Sequence, residues 1–444
     1  MLLIIRFFPD RIIRFNLKRL TDKYATLSLK RYSALIEHEK PIRAFLFACT
    51  DKSEQECLDR LLFSTDKLYG PIVIRIRVGD LLFLNNIDQD TLIGVFVAES
   101  EGAYNIQPEA FGGRYPYQVK VRSAGEILNI KKAKKLLHDF DVRRNTPLFG
   151  KKLVEFLNNF ASMPVIDGLL VKEQFEKYWD QIQEIVKKIQ KYDGKIDIEE
   201  EIPLVEATTF WDFPRQSYGL TPKGDNKYAG VTPALIIYNM IWRYTNPGDL
   251  VVDPMCGSGT TIDVCKEEKR QAICYDIHST RPDIIQNDAR HIPLNDNSID
   301  MVFIDSPYGD NIKYNDKPNN IGNISAESEE FYDELEKVMK ECHRILKDGK
   351  ALGWLIGDQW VRGMFTPVGF KIYERLCKYF KPLDLICVNR RGQSSNTVMW
   401  LNRARRLNFY LRGFKYLIIV KKTSEQMKPK ETRKIEWAYY DRGK

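Results

Sequence analysis

The sequence predicts an α/β fold: a mostly parallel sheet with helices on both faces, preceded by a small β-barrel and a helical connector. The 444 residues are enough for two or three domains with at least one large core. Short β-type runs separated by turns fill residues 42–123, which is typical of a small barrel. From Thr208 onward strand and helix patterns alternate, which is typical of a parallel sheet covered on both faces.

The composition argues against export, membrane spanning and a metal site. No run of about 18 apolar residues occurs, and Arg6 interrupts the apolar stretch at the start of the chain. The 8 cysteines form no C-x-x-C pair, and most lie in apolar runs, where cysteine acts as a small hydrophobic residue. We therefore expect a cytoplasmic protein of a reducing compartment, without membrane association and without metal.

The positive charge is concentrated near the end of the chain. The formal net charge is +8, and residues 371–444 contain 19 Lys+Arg against 6 Asp+Glu. Two interpretations stay open: a surface that faces nucleic-acid phosphates, or a solvated surface with a polar tail.

The N-terminal half predicts five strands and one helix. We expect strands at residues 42–49, 72–78, 81–86, 91–100 and 117–123, and a helix at about 54–63. Residues 1–40 mix basic and apolar residues at helical spacing, so a separate N-terminal helical segment is expected there.

Four blocks within residues 41–130 resemble the Development and cell death (DCD) domain, which belongs to the PUA-like group. The blocks are AFLFACTDKSEQECLDRLLF, VGDLLFLNN, LIGVFVAESEGAYNIQPEAF and GGRYPYQVKVR, in that order. The resemblance implies a PUA-like barrel that binds nucleic acid or a modified base. Two departures are present: residues 63–66 replace the family's common Phe-Gly-Leu-Pro segment, and no tryptophan is available for an aromatic cage. Tyr104, Tyr115 and Tyr117 form either a stacking site or part of the core.

Residues 131–205 predict a helical connector. Apolar residues recur at alternating spacings of four and three and form one stripe on an amphipathic helix that ends at Gly194. The stripe consists of Val171, Phe175, Tyr178, Ile182, Ile185 and Ile189. Packing between the flanking domains is the expected role, and a dimerising helix is the alternative.

A predicted buried strand at residues 249–253 runs into a glycine-containing loop, PMCGSGTT, and then a helix. Glycines at the end of the first strand let the backbone approach a ligand, and ligands of such sheets bind at the carboxyl ends of the strands. A dinucleotide loop would have a third glycine and no acid nearby, whereas Asp253 lies four residues before Gly257. A cationic or zwitterionic ligand fits better, and S-adenosyl-L-methionine meets that description.

Residues 253–261 resemble the D-P-F-x-G-S-G-T motif of the amino-methyltransferases that act on adenine N6 and cytosine N4 in DNA. After a strand predicted at 299–304, the DSPY tetrapeptide resembles the family's [D/N/S]-P-P-[Y/F] motif, although Ser306 replaces the first proline. The resemblance implies a Rossmann-like methyltransferase sheet. It also implies that Asp276 binds the cofactor's ribose hydroxyls and that Asp288 lies near its adenine amine.

This resemblance implies two sets of site residues. The cofactor-binding set is Thr232, Pro233, Asp253, Pro254, Met255, Cys256, Gly257, Ser258, Gly259, Thr260, Asp276, Ile277, Asp288 and Ala289. The catalytic set is Asp305, Ser306, Pro307 and Tyr308. The Asp305 carboxylate and the Ser306 carbonyl would accept the amine hydrogens of a base, and Tyr308 would stack on the flipped base. The alternatives are an ordinary strand-ending turn for DSPY and a plain helix start, with Thr232 as N-cap, for Thr232-Pro233.

The C-terminal region predicts a nucleic-acid surface. Arginine binds phosphate bidentately, and the interleaved Trp400, Phe409 and Tyr410 offer stacking faces. The expected contacts are Arg390, Arg391, Arg403, Arg405 and Arg406. A solvated hairpin is the alternative. No segment is large enough for a separate recognition domain, so sequence reading is expected from the barrel, from the loop at 310–328, or not at all.

The sequence thus predicts a methyltransferase that modifies a base amine in DNA, with adenine N6 favoured over cytosine N4. Two alternatives stay open: an RNA methyltransferase acting on tRNA or rRNA, and a catalytically inactive modified-base reader. DNA and a restriction endonuclease of a restriction-modification pair are the expected partners, and the chain is expected to be a monomer or homodimer. The predicted domains are 1–40 (helical segment), 41–130 (DCD-like), 131–205 (connector), 206–422 (methyltransferase) and 423–444 (basic tail).

Overall fold

A computed structural model of the chain describes residues 42–162, 172–191, 202–228, 230–309, 319–361, 363–391 and 397–423. Several predicted features lie wholly or partly outside these residues: the segment 1–40, the helix end at Gly194, part of the loop at 310–328, part of the arginine-rich stretch and the basic tail. Among the helices that the structure describes, none has both the length and the apolar character needed to cross a membrane.

A seven-stranded sheet and the helices packed on it form the first unit, which we call the N-terminal module (residues 43–162 and 172–191). Its strands are β1 Arg43–Cys49, β2 Leu62–Thr65, β3 Leu81–Asn86, β4 Thr91–Ala98, β5 Ala103–Tyr104, β6 Tyr117–Lys131 and β7 Leu148–Phe149. Its helices are α1 Asp51–Arg60, α2 Gly70–Val73, α3 Ala133–Asp139, α4 Gly150–Ser162 and α5 Lys172–Lys191. The strand order is β2-β6-β4-β3-β1-β7, with β5 beside β6. This order does not join β2 to β7, so the PUA-like barrel stays a prediction.

The strands predicted at 42–49, 81–86 and 91–100 are confirmed as β1, β3 and β4. The strand predicted at 72–78 is wrong. Residues 70–73 form a helical turn instead, since Pro71 near its start fixes a helical φ, and hydrogen-bonded turns follow. Strand β2 was not predicted. It overlaps the end of the predicted helix and the segment Phe63–Asp66, which departs from the DCD family pattern.

The connector packs on one face of the N-terminal sheet. Ile182, Ile185 and Ile189 of the predicted stripe are buried with the α4 residues Phe156 and Phe160. The other three stripe side chains lie outside the described residues. Because the described half of the stripe is covered within the chain itself, these positions are not available to a dimerising partner.

An eight-stranded sheet forms the second unit, in the order β11-β10-β9-β12-β13-β17-β16-β8. Its strands are β8 Phe210–Trp211, β9 Leu250–Asp253, β10 Gln271–Asp276, β11 Ile285–Gln286, β12 Ile299–Asp305, β13 Leu346–Ile356, β16 Lys381–Asn389 and β17 Phe414–Lys421. The five neighbouring strands β11, β10, β9, β12 and β13 are parallel to one another. Strand β17 is antiparallel to both of its neighbours, β13 and β16. A separate hairpin consists of β14 Gln359–Val361 and β15 Met364–Thr366.

Helices cover both faces of this sheet, as the alternating sequence pattern predicts. They are α6 Ala234–Tyr244, α7 Thr260–Glu267, α8 Glu329–Ile345, α9 Val368–Leu376 and α10 Val398–Arg406. α6 and α7 share a core with Met301 and Phe303, and α8 and α9 share the opposite core with Val302 and Ile304. The stretch considered as a solvated hairpin instead contains α10, whose first turn is capped by the Thr397 hydroxyl.

The two units share one hydrophobic core. The Tyr117 ring lies 5.7 Å from the Trp242 ring of α6, between ring centroids, and both residues are buried. Tyr104 and Tyr115 also pack against this core. The three tyrosines considered as a stacking site are therefore core residues.

A buried ion pair joins the units beside these rings. Arg75 of the N-terminal module contacts the carboxylate of Glu268, directly after α7, at 2.5 Å, and Glu268 has no solvent exposure. The Tyr218 hydroxyl and the Trp242 indole also donate to Glu268, at 2.8 and 3.0 Å. Deleting residues 41–130 would expose this core and remove the arginine that pairs with Glu268. The module is therefore a structural part of the chain, and its deletion should destabilise the second unit.

We expect Arg75→Met to lower the free energy of unfolding by about 3–5 kcal/mol, because it leaves a buried carboxylate without its cation. Urea unfolding followed by fluorescence measures the change. The double variant Arg75→Met/Glu268→Gln should recover part of the loss, since it removes the unpaired charge.

Arg60→Met is the matched control in the same module. Arg60 pairs with Glu56 on the exposed face of α1, so its loss should cost about 1 kcal/mol or less. Equal losses for the Arg75 and Arg60 variants would contradict a buried linkage between the units.

Candidate active site

A cleft of about 1110 Å³, open to solvent, lies at the carboxyl ends of β9, β10 and β12. Most predicted site residues line it: Thr232, Asp253, Pro254, Met255, Cys256, Gly257, Ser258, Thr260, Asp276, Ile277, Asp288, Ala289, Asp305, Pro307 and Tyr308. Pro233, Gly259 and Ser306 are not among the lining residues. The cleft is also lined by residues that the sequence did not single out, above all Lys415 of β17 and Asn319-Asn320-Ile321.

The glycine loop needs its glycines for two reasons. Gly257 and Gly259 have φ angles of 53° and 83°, a left-handed conformation that side-chain-bearing residues rarely adopt. A Cβ on Gly257 would also approach the Tyr228 ring to 2.9 Å. The Gly257 amide donates to the Asp276 carboxylate at 2.9 Å, so the ends of β9 and β10 are tied together beside the cleft.

Asp253, at the end of β9, is almost fully buried. Its carboxylate accepts hydrogen bonds from the Thr261 hydroxyl and from the Met255 amide. Burial raises the pKa of Asp253 to about 7, and the nearby Asp276 and Asp305 act in the same direction. An ionised Asp253 is therefore stabilised by any cation that enters the cleft.

Asp276, at the end of β10, is held in place by the backbone. The His278 amide donates to its carboxylate at 2.9 Å, in addition to the bond from Gly257. Burial raises the pKa of Asp276. Asp288 has a different environment: although burial opposes it, hydrogen bonds from Arg290 hold the pKa of Asp288 below its usual range.

Asp305, the last residue of β12, is fixed by two partners that the sequence did not predict. Lys415 Nζ lies 2.9 Å from one carboxylate oxygen and 3.0 Å from the other. The Thr232 hydroxyl donates to Asp305 at 2.8 Å. The interpretation of Thr232 as N-cap is wrong, since Pro233 occupies the N-cap position of α6 and the Thr232 side chain points to Asp305 instead.

The rest of the tetrapeptide is tied to the sheet and to the mouth of the cleft. The buried Ser306 hydroxyl accepts a hydrogen bond from the Trp354 indole at 2.9 Å, an interaction that proline in this position could not make. The Tyr308 hydroxyl accepts from Arg390 at 3.1 Å, and Lys415 Nζ lies 5.5 Å from the Tyr308 ring centroid. Tyr308 therefore presents its ring at the cleft while its hydroxyl is held.

The five predicted nucleic-acid arginines lie in two places. Arg390 and Arg391 follow β16, where Arg391 forms a bidentate ion pair with Asp212. Arg403, Arg405 and Arg406 form the last turn of α10 and are exposed. Arg391 is thus charge-compensated within the chain, whereas the α10 arginines face solvent.

The cleft fits S-adenosyl-L-methionine. Four carboxylates line it, from Asp253, Asp276, Asp288 and Asp305, whereas Lys415 is the one lysine or arginine among the lining residues. This excess of negative charge suits a sulfonium and an ammonium group. Within the part of the chain that the structure describes, no group of three or more His, Cys, Asp or Glu residues could hold a metal.

The sequence profile of the family described as DNA methylase matches residues 124–287 and 299–442, which is more than half of the chain. This chain belongs to the DNA methylase family. S-adenosyl-L-methionine, the cofactor predicted from the sequence, is the cofactor of this family. The profile described as Development and cell death domain matches residues 43–144, which confirms the second predicted resemblance.

Two curated relatives match about a quarter of this chain. The B2 protein of Daucus carota is 32% identical over 126 residues, which cover 25% of this chain and 61% of that protein. The DCD domain-containing protein NRP-B of Glycine max is 32% identical over 126 residues, covering 25% of this chain and 38% of that protein. The chain therefore spans less than two thirds of either relative.

Two solved structures are similar to parts of this chain at low sequence identity. A putative DNA modification methylase of Thermus thermophilus, complexed with S-adenosyl-L-methionine, is 23% identical, covers 33% of this chain and 57% of its own, and has a TM-score of 0.23. A SAM-dependent methyltransferase of Methanosarcina mazei is 15% identical, covers 42% of this chain and 99% of its own, and has a TM-score of 0.29. Neither likeness bears on substrate or mechanism.

We expect the affinity for S-adenosyl-L-methionine to fall as the pH is lowered through about 7. Asp253 has a raised pKa, so it is protonated below this value and no longer attracts a cation. Between pH 8 and pH 6 the ionised fraction falls about tenfold, and the dissociation constant should rise by up to that factor. Isothermal titration calorimetry at several pH values measures it.

Asp253→Asn separates this effect from titration of the cofactor itself. The variant should bind more weakly at pH 8 and show only the pH dependence of the ligand's own groups. The same pH profile in the variant and the wild type would contradict a role for the Asp253 charge.

Proposed function

We propose that this DNA methylase family member transfers a methyl group from S-adenosyl-L-methionine to the exocyclic amine of a base in DNA, adenine N6 in preference to cytosine N4. One observation carries the proposal: Asp305 and Tyr308 share a single cleft with the glycine loop and Asp276. The cofactor supplies an electrophilic methyl group on its sulfonium. The chain's own residues then have to bind the cofactor, hold the base and orient its amine.

The amine of a base is a poor nucleophile because its lone pair is delocalised into the ring. Asp305 has about four acceptor positions on its two oxygens, and Lys415 and Thr232 occupy three of them. Asp305 is then left to accept one amine hydrogen, and the backbone carbonyl of Ser306 accepts the other. These bonds favour a pyramidal nitrogen whose lone pair points towards the methyl group.

The cofactor contacts in this proposal follow the cleft lining. Asp276, fixed by two backbone amides, accepts the ribose hydroxyls, and Asp288 lies near the adenine amine. Asp253 acts through its charge, since its oxygens are already bonded to Thr261 and Met255. Thr232 positions Asp305 and does not need to contact the cofactor.

The wider predictions are kept as part of the proposal. Residues 41–130 and the α10 arginines would contact the nucleic acid, and residues 206–422 would hold the catalytic site. The described part of the connector packs on the N-terminal sheet. The monomer or homodimer, the cytoplasmic location and the restriction endonuclease partner stay predictions.

Incubation with labelled cofactor on DNA and on total RNA, followed by nucleoside mass spectrometry, tests the proposal. Labelled N6-methyladenine in DNA is the expected product. Label in RNA alone would replace the proposal by the RNA alternative. Cofactor binding without transfer to either polymer would favour the inactive reader.

We expect Asp305→Ala to lower the turnover rate about a hundredfold or more while cofactor affinity stays nearly unchanged, because it removes the side-chain acceptor of the amine. Single-turnover kinetics and calorimetry measure the two quantities. Asp300→Ala is the matched control: Asp300 pairs with Lys347 and Lys350 at the other end of β12. Equal turnover by both variants would show that DSPY is only a turn.

We expect Tyr308→Ala to weaken capture of the flipped base by roughly 1–3 kcal/mol, the usual value of one stacking contact. Tyr308→Phe keeps the ring but loses the hydrogen bond from Arg390, so it should retain most of the affinity. The effect should appear in KM rather than in cofactor binding. An unchanged KM for Tyr308→Ala would contradict the stacking role.

We expect removal of Arg403, Arg405 and Arg406 to lower DNA affinity and to flatten its salt dependence by about one slope unit per lost phosphate contact. Fluorescence anisotropy at several salt concentrations measures the slope. Lys337→Ala on α8, an exposed lysine paired with Glu334, is the control and should leave the slope unchanged. An unchanged slope in the arginine variant would assign α10 to an ordinary solvated surface.

A further inference from the structure

We infer that the β14–β15 hairpin and the segment before β17 form a stacking platform for an unpaired nucleotide next to the target base. The platform consists of Trp360, Phe365, Phe409 and Arg412. It rests on the proposed function, since it concerns the part of the substrate that lies outside the cleft.

The platform is built on two exposed aromatic side chains in register, with the half-buried Phe409 packed against one of them. Trp360 and Phe365 are direct cross-strand partners in the hairpin, so their side chains lie on the same face. Both are large apolar residues with high exposure, 37% for Trp360 and 47% for Phe365. Phe409 lies against Trp360 with ring centroids 6.1 Å apart and planes only 13° from parallel. The Arg412 guanidinium lies 5.1 Å from the Phe365 ring centroid.

The platform adjoins the cleft at Tyr308. Gln359, the residue before Trp360, donates its side-chain amide to the Tyr308 carbonyl. A Cβ on Gly357 would lie 4.0 Å from the Tyr308 ring, so the chain entering the hairpin runs along the proposed base-stacking residue. The hairpin that carries Trp360 therefore begins directly beside Tyr308, and we place the nucleotide next to the target base on this hairpin.

The charges around the platform favour a polyanion over a protein partner. Arg412 belongs to the platform, and Arg390 and Lys415 lie at Tyr308. Asp358, the acid nearest to the hairpin in sequence, is buried and bonded to the Tyr416 hydroxyl and the Gly369 amide. Exposed aromatic faces beside arginines match single-stranded nucleic acid, because every base offers a π-face and every nucleotide a phosphate.

This geometry predicts a preference for an opened strand. A base paired within a duplex has both faces covered by its neighbours, so it cannot stack on Trp360. The substrate should therefore have at least one unpaired nucleotide flanking the target, supplied by single-stranded nucleic acid or by local opening of a duplex.

The test measures binding of a single-stranded oligonucleotide that contains the methylated position, by anisotropy with the cofactor bound. Trp360→Ala and Phe365→Ala should each weaken binding about tenfold, whereas Trp360→Phe should stay within about twofold of wild type. Leu383→Ala is the control, because Leu383 has similar exposure (40%) but lies near the start of β16 in the eight-stranded sheet, outside the hairpin. Calorimetry should show unchanged cofactor affinity in all four variants.

An abasic substitution makes the test specific. Removing the base beside the methylated position should cost wild type about as much as Trp360→Ala does, and combining both changes should cost no more than one alone. Additive losses, or an affinity of Trp360→Ala equal to that of Leu383→Ala, would overturn the platform. If the wild type methylates no nucleic acid, the proposed function fails. If the wild type methylates nucleic acid but Trp360→Ala and Phe365→Ala bind the oligonucleotide as tightly as it does, the platform alone fails.

Discussion

The carboxylate of Glu268 has no solvent exposure, and the need for hydrogen-bond donors and a cation around it constrains how the two sheets pack against each other. Its donors come from three parts of the chain: Arg75 from the N-terminal module, the Tyr218 hydroxyl and the Trp242 indole of α6. Desolvating a carboxylate costs several kcal/mol unless such partners are all in place. Glu268 directly follows α7, and α7 begins at the glycine loop beside the cleft. The Arg75–Glu268 ion pair therefore also holds the end of α7 in place.

From this pair a continuous set of contacts reaches the active site. Glu267, next to Glu268, binds the buried Lys223 at 2.6 Å. The following Gly224 amide donates to Asp263 of α7, and the same segment continues to Tyr228 and Thr232, which line the cleft. The N-terminal module thus supports the segment that positions Asp305. The DNA methylase match, which begins at residue 124 inside the module's last long strand, agrees with a module that is structurally part of the enzyme.

The sequence predicts elements where a local pattern decides the structure. The strands predicted at 249–253 and 299–304 are present as β9 and β12, each within one residue of the predicted bounds, because each is a short buried apolar run. Residues 72–78 alternate like a strand, but tertiary contacts override this pattern. The Arg75 side chain binds Glu268, and the Arg75 carbonyl accepts a hydrogen bond from Arg43 instead of from a neighbouring strand. Lys415 and Thr232 were missed as partners of Asp305 because they lie 110 and 73 positions away, with no local motif.

The carboxylates of the cleft outnumber its lysines and arginines, and this excess of negative charge favours a cationic ligand. Four carboxylates face this small volume, and burial raises the pKa of two of them, Asp253 and Asp276. Lys415 compensates one, by holding Asp305, and Arg290 compensates Asp288. Within the described residues, Asp253 and Asp276 accept hydrogen bonds from backbone amides and from the Thr261 hydroxyl, so a cation that enters beside the glycine loop would add compensation for their charge. The same lysine lies over the Tyr308 ring. One side chain therefore contacts both Asp305 and Tyr308, the two residues to which the proposed function assigns the target base.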